Sequence, residues 1–294
     1  MKLRKLKRIV QAQASSDGAG VRIQRLAGRD LNRAMDPFLM IDEIRSEDGA
    51  DYIGGFPSHP HRGFETITYM KQGLMRHKDH MGNEGLLAAG DVQWMTAARG
   101  VIHSEMPEQS EGLLHGFQLW LNLPAAEKML PAAYADYASE QLPVFELGDG
   151  SAIKVIAGTY SPVSGNQRSA GPEVNAKPVA SPIPQGTTEA LYWDLQLAPG
   201  AQWQAAIPAG HNLAVYVYEG GAVEVEGMAL ATRQLGLYGD GEGLQLHAGG
   251  QGLSALIVAG KPLKEPIAQH GPFVMNSTEE IEQAIADYQA GRLV

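Results

Sequence analysis

Apolar and polar residues alternate along most of this chain in short runs that are separated by turns. The runs are rich in Val, Ile, Leu, Tyr and Trp, and the turns contain glycine. Runs that recur roughly every ten residues are typical of strands in a sandwich or a barrel. We therefore expect an all-β protein. The predicted strands cover residues 63–69, 85–88, 91–95, 114–121, 153–160, 192–197, 214–219, 222–225, 234–238, 243–246 and 254–259.

Three segments depart from this pattern. Ser277 and Glu280 have the spacing of a capping box, and apolar residues recur at helical spacing up to Tyr288, so the chain is predicted to end in a helix. Residues 125–140 are rich in Ala and predict one or two short helices. Residues 161–186 contain five prolines and predict a long loop.

The length of the chain indicates two domains. It has 294 residues, and a domain usually has about 100–200. Both halves repeat the order of a glycine turn followed by a strand, after Met70 and again after Tyr218. Two barrels from a duplication would explain this similarity. The junction between the two predicted domains lies in residues 125–140.

Composition narrows the class of function. A formal charge of −10 argues against a large nucleic-acid footprint, because phosphate binding needs a basic face. The basic run from Lys2 to Arg8 alternates with apolar residues and predicts a first strand. The chain has no cysteine, so any redox chemistry would belong to a bound metal or cofactor. No membrane span or secretion signal is visible, and a cytoplasmic location is expected.

The candidate chemistry lies in two motifs, His59-Pro60-His61 and His103-Ser104-Glu105. Residues two apart on a strand share a face, so each motif can direct two ligand side chains into one cavity. Four such groups can enclose one metal ion. Short pairs of this kind also occur by chance on solvated strands, but six of the nine histidines lie before residue 120. The second half has no His-x-His motif, and no metal is predicted there.

Five segments resemble the pirins, a branch of the two-barrel cupin superfamily. They are MDPFLMIDE at 35–43, FPSHPHRGFET at 56–66, GDVQWMT at 90–96, GVIHSEMP at 100–107 and GPFVMN at 271–276. Ser58 stands where many pirins have Asp, and Ala98 stands where a Gly is usual. The resemblance implies two tandem cupin (jelly-roll-like) β-barrel domains with a C-terminal helix. The implied boundaries are 1–130 for the domain with the metal, 131–145 for a linker and 146–294 for a domain without metal.

The resemblance also implies a ligand set. In ordinary cupins the acidic ligand follows His-x-His by a few residues, and Glu65 occupies that place, unless a bulge at Gly63 turns it away. In pirins the acidic ligand belongs to the second motif. The implied ligands are therefore His59, His61, His103 and Glu105, with Glu65 as the open alternative. Iron(II) is the expected metal, and zinc, copper, nickel, manganese or cobalt could use the same ligands.

Two classes of function follow from the resemblance. Several pirins are quercetinases, which open the central ring of a flavonol with O2 and release carbon monoxide. Such an enzyme would use Glu105 as the base that removes the 3-hydroxyl proton. The alternative is a non-enzymatic, metal-dependent redox-sensing regulator that binds a transcription factor or a metabolic enzyme. A third hypothesis is that the protein stores or isomerises a small molecule. Neither direct nucleic-acid binding nor a membrane partner is expected.

Other side chains are candidates for the surroundings of the metal. For each of them the alternative is an ordinary position in the core or on the surface, with no role at the metal. Candidates for hydrogen bonds around the ligands are His77, His80 and His115, and candidates for the cavity wall are Phe56, Trp94, Met95 and Phe117.

Overall fold

A computed structural model describes residues 1–163, 177–220, 223–225 and 228–294. This part of the chain is built mainly from strands, which confirms the predicted all-β class. The elements of the first half are β1 (Leu6–Gln11), β2 (Gln13–Asp17), β3 (Val21–Ala27), α1 (Arg29–Met35), β4 (Phe38–Ser46), β5 (Phe56–His61), β6 (Phe64–Gln72), β7 (Met75–Asp79), β8 (Glu84–Leu87), β9 (Val92–Thr96), β10 (Val101–Pro107), β11 (Leu114–Asn122) and β12 (Ala133–Tyr137). Those of the second half are β13 (Val144–Gly148), β14 (Ser151–Ala157), β15 (Thr159–Tyr160), β16 (Val179–Ala180), β17 (Leu191–Leu197), β18 (Gln202–Ala206), β19 (Asn212–Gly220), β20 (Val223–Val225), β21 (Met228–Leu230), β22 (Gln234–Tyr238), β23 (Gly243–His247), β24 (Leu253–Gly260), β25 (Ala268–His270), β26 (Phe273–Met275) and α2 (Thr278–Gln289).

The chain forms two compact units that exchange chain ends. The first compact unit contains Gln13–Asn32, Pro37–Ser139 and Leu263–Val294, and the second contains Met1–Ala12, Arg33–Asp36 and Glu140–Pro262. These units differ from the contiguous domains 1–130 and 146–294 expected from the sequence. Strand β1 pairs with β22, and α2 belongs to the first unit. Strand pairing across more than 200 residues leaves no local pattern, so the sequence does not show the exchange.

The first unit contains a seven-stranded sheet in the order β12-β9-β6-β11-β4-β3-β2 and a four-stranded sheet in the order β5-β10-β7-β8. Both candidate motifs lie in the short sheet, on β5 and β10. The predicted strand at 63–69 begins at Phe64 in the structure, because Gly63 has a φ of +93° and turns the chain between β5 and β6. That turn places the two strands in different sheets.

The second unit contains a seven-stranded sheet in the order β1-β22-β19-β24-β17-β14-β13. Inward side chains such as Trp193, Trp203 and Ile257 join one apolar cluster. A first strand is present, but β1 begins at Leu6 and overlaps the predicted run only at residues 6–8; it pairs with β22. Residues 164–176 of the predicted loop, and Ala222 of one predicted strand, lie outside the described residues.

The segment between the halves corrects one prediction. Residues 125–140 were expected to be helical because they are rich in Ala. In the structure Ala133–Tyr137 is strand β12, which pairs with β9 and is followed by a 3-10 turn at Ser139–Gln141. The open edge of β9 provides hydrogen-bond partners, and such tertiary pairing overrides the weak helix preference of Ala.

The C-terminal helix is confirmed. Ser277 is its N-cap, and the reciprocal capping box with Glu280 is present. Ile281 and Ala284 are its buried residues. Within the described part of the chain, neither α1 nor α2 has the length and apolar character needed to cross a membrane.

Candidate metal centre

Strand β10 is the middle strand that brings the candidate ligands together. On one side it pairs with β5, where His103 lies opposite His59, and the register shifts before Glu105. On its other side it pairs with β7, where Glu105 lies opposite His77. The antiparallel register thus brings the candidate ligands of β5 and β10 together and places His77 of β7 beside them.

Three histidines form the first candidate cluster. One ligand atom from each of His59, His61 and His103 lies within 4.8 Å of the others. The rings of His59 and His103 are 4.3 Å apart, and those of His61 and His103 are 4.9 Å apart. His61 and His103 are buried. Burial lowers the pKa of His61 to about 3 and that of His103 well below its usual value, so both imidazoles are neutral and keep a lone pair for a metal.

In His59 and His61, the hydrogen bond of Nδ1 decides which ring nitrogen carries the proton. Nδ1 of His59 is 2.8 Å from the carbonyl oxygen of Pro57, and Nδ1 of His61 is 3.3 Å from that of Pro272. A carbonyl only accepts, so each Nδ1 is the donor and each Nε2 holds a lone pair. The two Nε2 atoms are 3.1 Å apart. Two lone pairs at this distance repel unless a cation or a proton lies between them.

The second candidate cluster contains His77, His103 and Glu105, again with ligand atoms within 4.8 Å. Nδ1 of His103 is 3.3 Å from Nδ1 of His77. Nε2 of His103 is buried and has no hydrogen-bond partner among the described residues. His103 therefore belongs to both clusters, with one ring nitrogen engaged by His77 and the other available to a metal. His77 was predicted as a neighbour of the candidate ligands, and the structure places it beside His103 and Glu105.

Glu105 is held at both oxygens. The Thr68 hydroxyl lies 2.8 Å from Oε1, and Nε2 of Gln118 donates to Oε2 at 3.0 Å. Thr68 belongs to β6 and Gln118 to β11, both in the long sheet. Neither Thr68 nor Gln118 was predicted from the sequence. A polar side chain at alternate positions of otherwise apolar strands was the available signal.

Glu65 has a different environment. It lies on β6 three residues before Thr68, so the two side chains point to opposite faces of the strand. Its carboxylate accepts from the Thr96 hydroxyl at 2.6 Å, and burial raises its pKa. Within the described residues, Glu65 is in neither candidate cluster. The turn at Gly63 accounts for this, because it ends the strand that carries the His-x-His motif.

The remaining candidate neighbours lie elsewhere. Nε2 of His115 is 2.9 Å from Oε1 of Glu43, and His80 is bonded to the backbone of Ile102. Phe117 stacks on Tyr69, as expected for barrel core. The other three also contact protein groups: Phe56 packs on an apolar cluster, Trp94 bonds to Glu65 and Met95 is fully buried.

Ala98 has a left-handed backbone with a φ of +40°. Gly tolerates this conformation without the clash of a Cβ atom, which is a physical reason for a glycine there. The Ala98 carbonyl still accepts from the Gly63 amide at 2.7 Å. The substitution therefore leaves the turn beside His61 in place.

Comparison with known families agrees with this architecture. The family model for pirin matches residues 20–121, and that for the pirin C-terminal cupin domain matches residues 192–294. A Pseudomonas aeruginosa protein, named provisionally as a quercetin 2,3-dioxygenase, is 49% identical over 95% of this chain and 94% of its own length.

Solved structures give the same result. A quercetin 2,3-dioxygenase from Acinetobacter baumannii superposes with a TM-score of 0.85 at 33% identity, over 99% of this chain and 98% of its own. A bacterial pirin from Escherichia coli in complex with nickel(II) has a TM-score of 0.59 at 21% identity, over 87% of this chain and 99% of its own, a likeness of fold alone. The sequence and the two barrels together place this chain in the pirin family.

Proposed function

We propose that this protein is a metal-dependent dioxygenase of the pirin type that cleaves a flavonol such as quercetin with O2. The proposed metal ligands are His59, His61, His103 and Glu105. Iron(II) is the proposed metal. The site chemistry and the relatives named as quercetin 2,3-dioxygenases both support this function.

One observation carries the proposal. The Nε2 atoms of His59 and His61 are 3.1 Å apart while both Nδ1 atoms are bonded to carbonyls. Two ligands at right angles, each about 2.1 Å from an ion, lie about 3.0 Å apart. The buried Nε2 of His103, unpartnered within the described part of the chain, supplies a third nitrogen. Neutral imidazoles with a carboxylate suit divalent first-row metals.

The proposed roles of the protein groups follow from their contacts. Bound iron would supply Lewis acidity and electron transfer to dioxygen. Glu105 would accept the proton of the flavonol 3-hydroxyl, and Thr68 and Gln118 would hold its carboxylate in place for that transfer. The rings of Phe64 and Trp120 lie 5.1 and 5.3 Å from that of His61 and would exclude water on that side.

Reconstitution tests the proposal. The protein is loaded anaerobically with iron(II), and oxygen uptake and the loss of quercetin absorbance are followed. We expect turnover in the wild type and none above background in His61→Ala. The matched control is His247→Ala, a histidine of the second unit that lies in neither candidate cluster.

The possible results distinguish the dioxygenase from the metal-dependent regulator. Turnover that requires His61 supports the dioxygenase. Tight binding of iron without turnover of any flavonol would contradict it and favour the metal-dependent regulator. No binding of iron would contradict both.

A further inference from the structure

The C-terminal segment of the first unit contacts the strand end that carries His61. The carbonyl of Pro272 lies 3.3 Å from Nδ1 of His61 and also accepts from the Arg62 amide at 3.4 Å. Two residues further on, the Val274 amide donates to the Arg62 carbonyl at 3.0 Å. The backbone at 272–274 is therefore bonded to the residue that follows the His61 ligand.

The Arg62 side chain extends this contact to the end of the chain. Its guanidinium is buried and donates to Asp287 of α2 at 2.8 Å and to the Leu293 carbonyl at 3.3 Å. Its Nε donates to the carbonyl of Arg99, two residues before β10. One guanidinium thus connects α2, the chain end and the loop that leads to His103. These three bonds start from three different nitrogens of the guanidinium, and the single nitrogen of a lysine ammonium cannot occupy all three positions.

Two glycines make room for the segment beside the ligand strands. A Cβ atom at Gly63, which follows the His61 strand, would lie 1.9 Å from the Val274 carbonyl oxygen. A Cβ atom at Gly100, which precedes the His103 strand, would lie 2.2 Å from the Leu293 carbonyl oxygen. Both distances are far below a van der Waals contact, so any side chain at these positions would displace the segment.

From these contacts we infer that the C-terminal segment Leu263–Val294 is a positioning element of the metal centre. The Pro272 carbonyl fixes His61 with its proton on Nδ1, which leaves Nε2 for the metal. The pair Arg62–Asp287 holds the Pro272 backbone at the ligand strand. Only the expected change in metal affinity rests on the proposed function. Groups of this kind around metal ligands typically change affinity about 10–100-fold.

The test compares two carboxylates of α2. Asp287→Asn removes the charge that binds Arg62, and Glu282→Gln neutralises an exposed carboxylate of the same helix. Cobalt(II) serves as the probe, with its dissociation constant measured by chelator competition and its absorption spectrum recorded. We expect about tenfold weaker binding and an altered spectrum in Asp287→Asn. Glu282→Gln and the conservative Asp287→Glu should remain within about twofold of the wild type.

A second measurement needs no metal. Nitrogen-15 spectra of the metal-free protein identify which nitrogen of His61 carries the proton. We expect Nδ1 in the wild type and a mixture of tautomers in Asp287→Asn. If the wild type binds no cobalt(II), the proposed function fails, and this spectrum alone decides the inference.

The inference is overturned if Asp287→Asn matches Glu282→Gln in both measurements. Circular dichroism checks that each variant is folded. Should Asp287→Asn fail to fold, Arg62→Lys replaces it, because it keeps the charge beside Asp287 and loses the bonds to Arg99 and Leu293. Wild-type affinity and an unchanged His61 tautomer in Arg62→Lys would equally overturn the inference.

Discussion

The two compact units share a sheet framework but differ in what fills it. In the second unit, Trp193, Trp203 and Ile257 belong to one apolar cluster of buried residues. In the first unit, some of the buried apolar residues form clusters that are smaller than this one. The first unit also buries the polar side chains of His61, His103 and Glu105. A buried polar group is unfavourable unless it is hydrogen-bonded or binds an ion. The inward side chains, not the strand framework, therefore decide whether a barrel holds only an apolar core or also a candidate site.

The second unit also buries a carboxylate, that of Asp194, but on the other face of a strand. On β17, Trp193 and Leu195 join the apolar cluster, whereas Asp194 between them points the opposite way. Asp194 accepts from the Tyr218 hydroxyl at 2.6 Å. This buried carboxylate is satisfied by a protein donor and lies outside the barrel core. The buried Nε2 of His103 has no such partner among the described residues.

The largest expected effect concerns the two candidate carboxylates of the first unit. Glu105→Gln keeps the shape of the side chain but removes the base, and we expect kcat for flavonol cleavage to fall by about 100-fold or more. Glu65→Gln is the matched control and should retain turnover within a few fold, because its carboxylate bonds to Thr96. Steady-state oxygen uptake measures both. A larger loss of turnover in Glu65→Gln than in Glu105→Gln would make Glu65 the acidic ligand.

A core substitution in the second unit should affect stability alone. Ile257 is fully buried, and Ile257→Ala should lower the free energy of unfolding by about 3 kcal/mol because it leaves a cavity. Urea unfolding of the metal-free protein measures this change. The metal content of the folded variant, determined by elemental analysis, should equal that of the wild type. A loss of metal would show that the two interiors are coupled.

The contact of His77 with His103 should give a smaller effect. His77 stacks on Tyr134, with ring centroids 4.8 Å apart, and burial lowers its pKa, so the neutral ring can accept from Nδ1 of His103. His77→Phe keeps a ring and removes the nitrogen. We expect about tenfold weaker metal binding, measured by chelator competition. Unchanged affinity would mean that His103 needs no partner to hold its orientation.

Lys128 should give the stability of the first unit a pH dependence. Its buried ammonium bonds to the carbonyls of Gly63 and Val274 and to Asn122, and burial lowers its pKa from 10.5 to about 8. Between pH 8 and 10.5 the unfolded chain binds more protons than the folded one. The stability of the wild type relative to Lys128→Met should therefore rise with pH, by at most about 1.4 kcal/mol per unit.

Urea unfolding of both proteins at several pH values measures this difference, and titration of the other groups cancels in the comparison. Below pH 8 the difference should be constant. A difference that stays constant up to about pH 10.5 and falls above it would show that the three acceptors outweigh burial.

Much of the strand framework was predictable because strand periodicity is local. The predicted strand at 114–121, for example, corresponds to β11, and the capping box at Ser277 correctly placed the start of α2. The Ala-rich stretch misled the prediction, because β12 forms only when β9 provides a partner. The exchange of chain ends was not predictable, since β1 and β22 pair across more than 200 residues.

For the candidate site, the sequence alone predicts the types of the candidate ligands and their pairing in two motifs, because residues two apart on a strand share a face. His59 and His61 could be proposed on that basis alone. Which carboxylate approaches the histidines depends on tertiary structure, because the turn at Gly63 places Glu65 in another sheet. The groups that hold the candidate ligands also depend on it, since the Thr68 hydroxyl and the Pro272 carbonyl come from distant segments. Such contacts depend on how strands and chain ends pack, and no local pattern of residues encodes them.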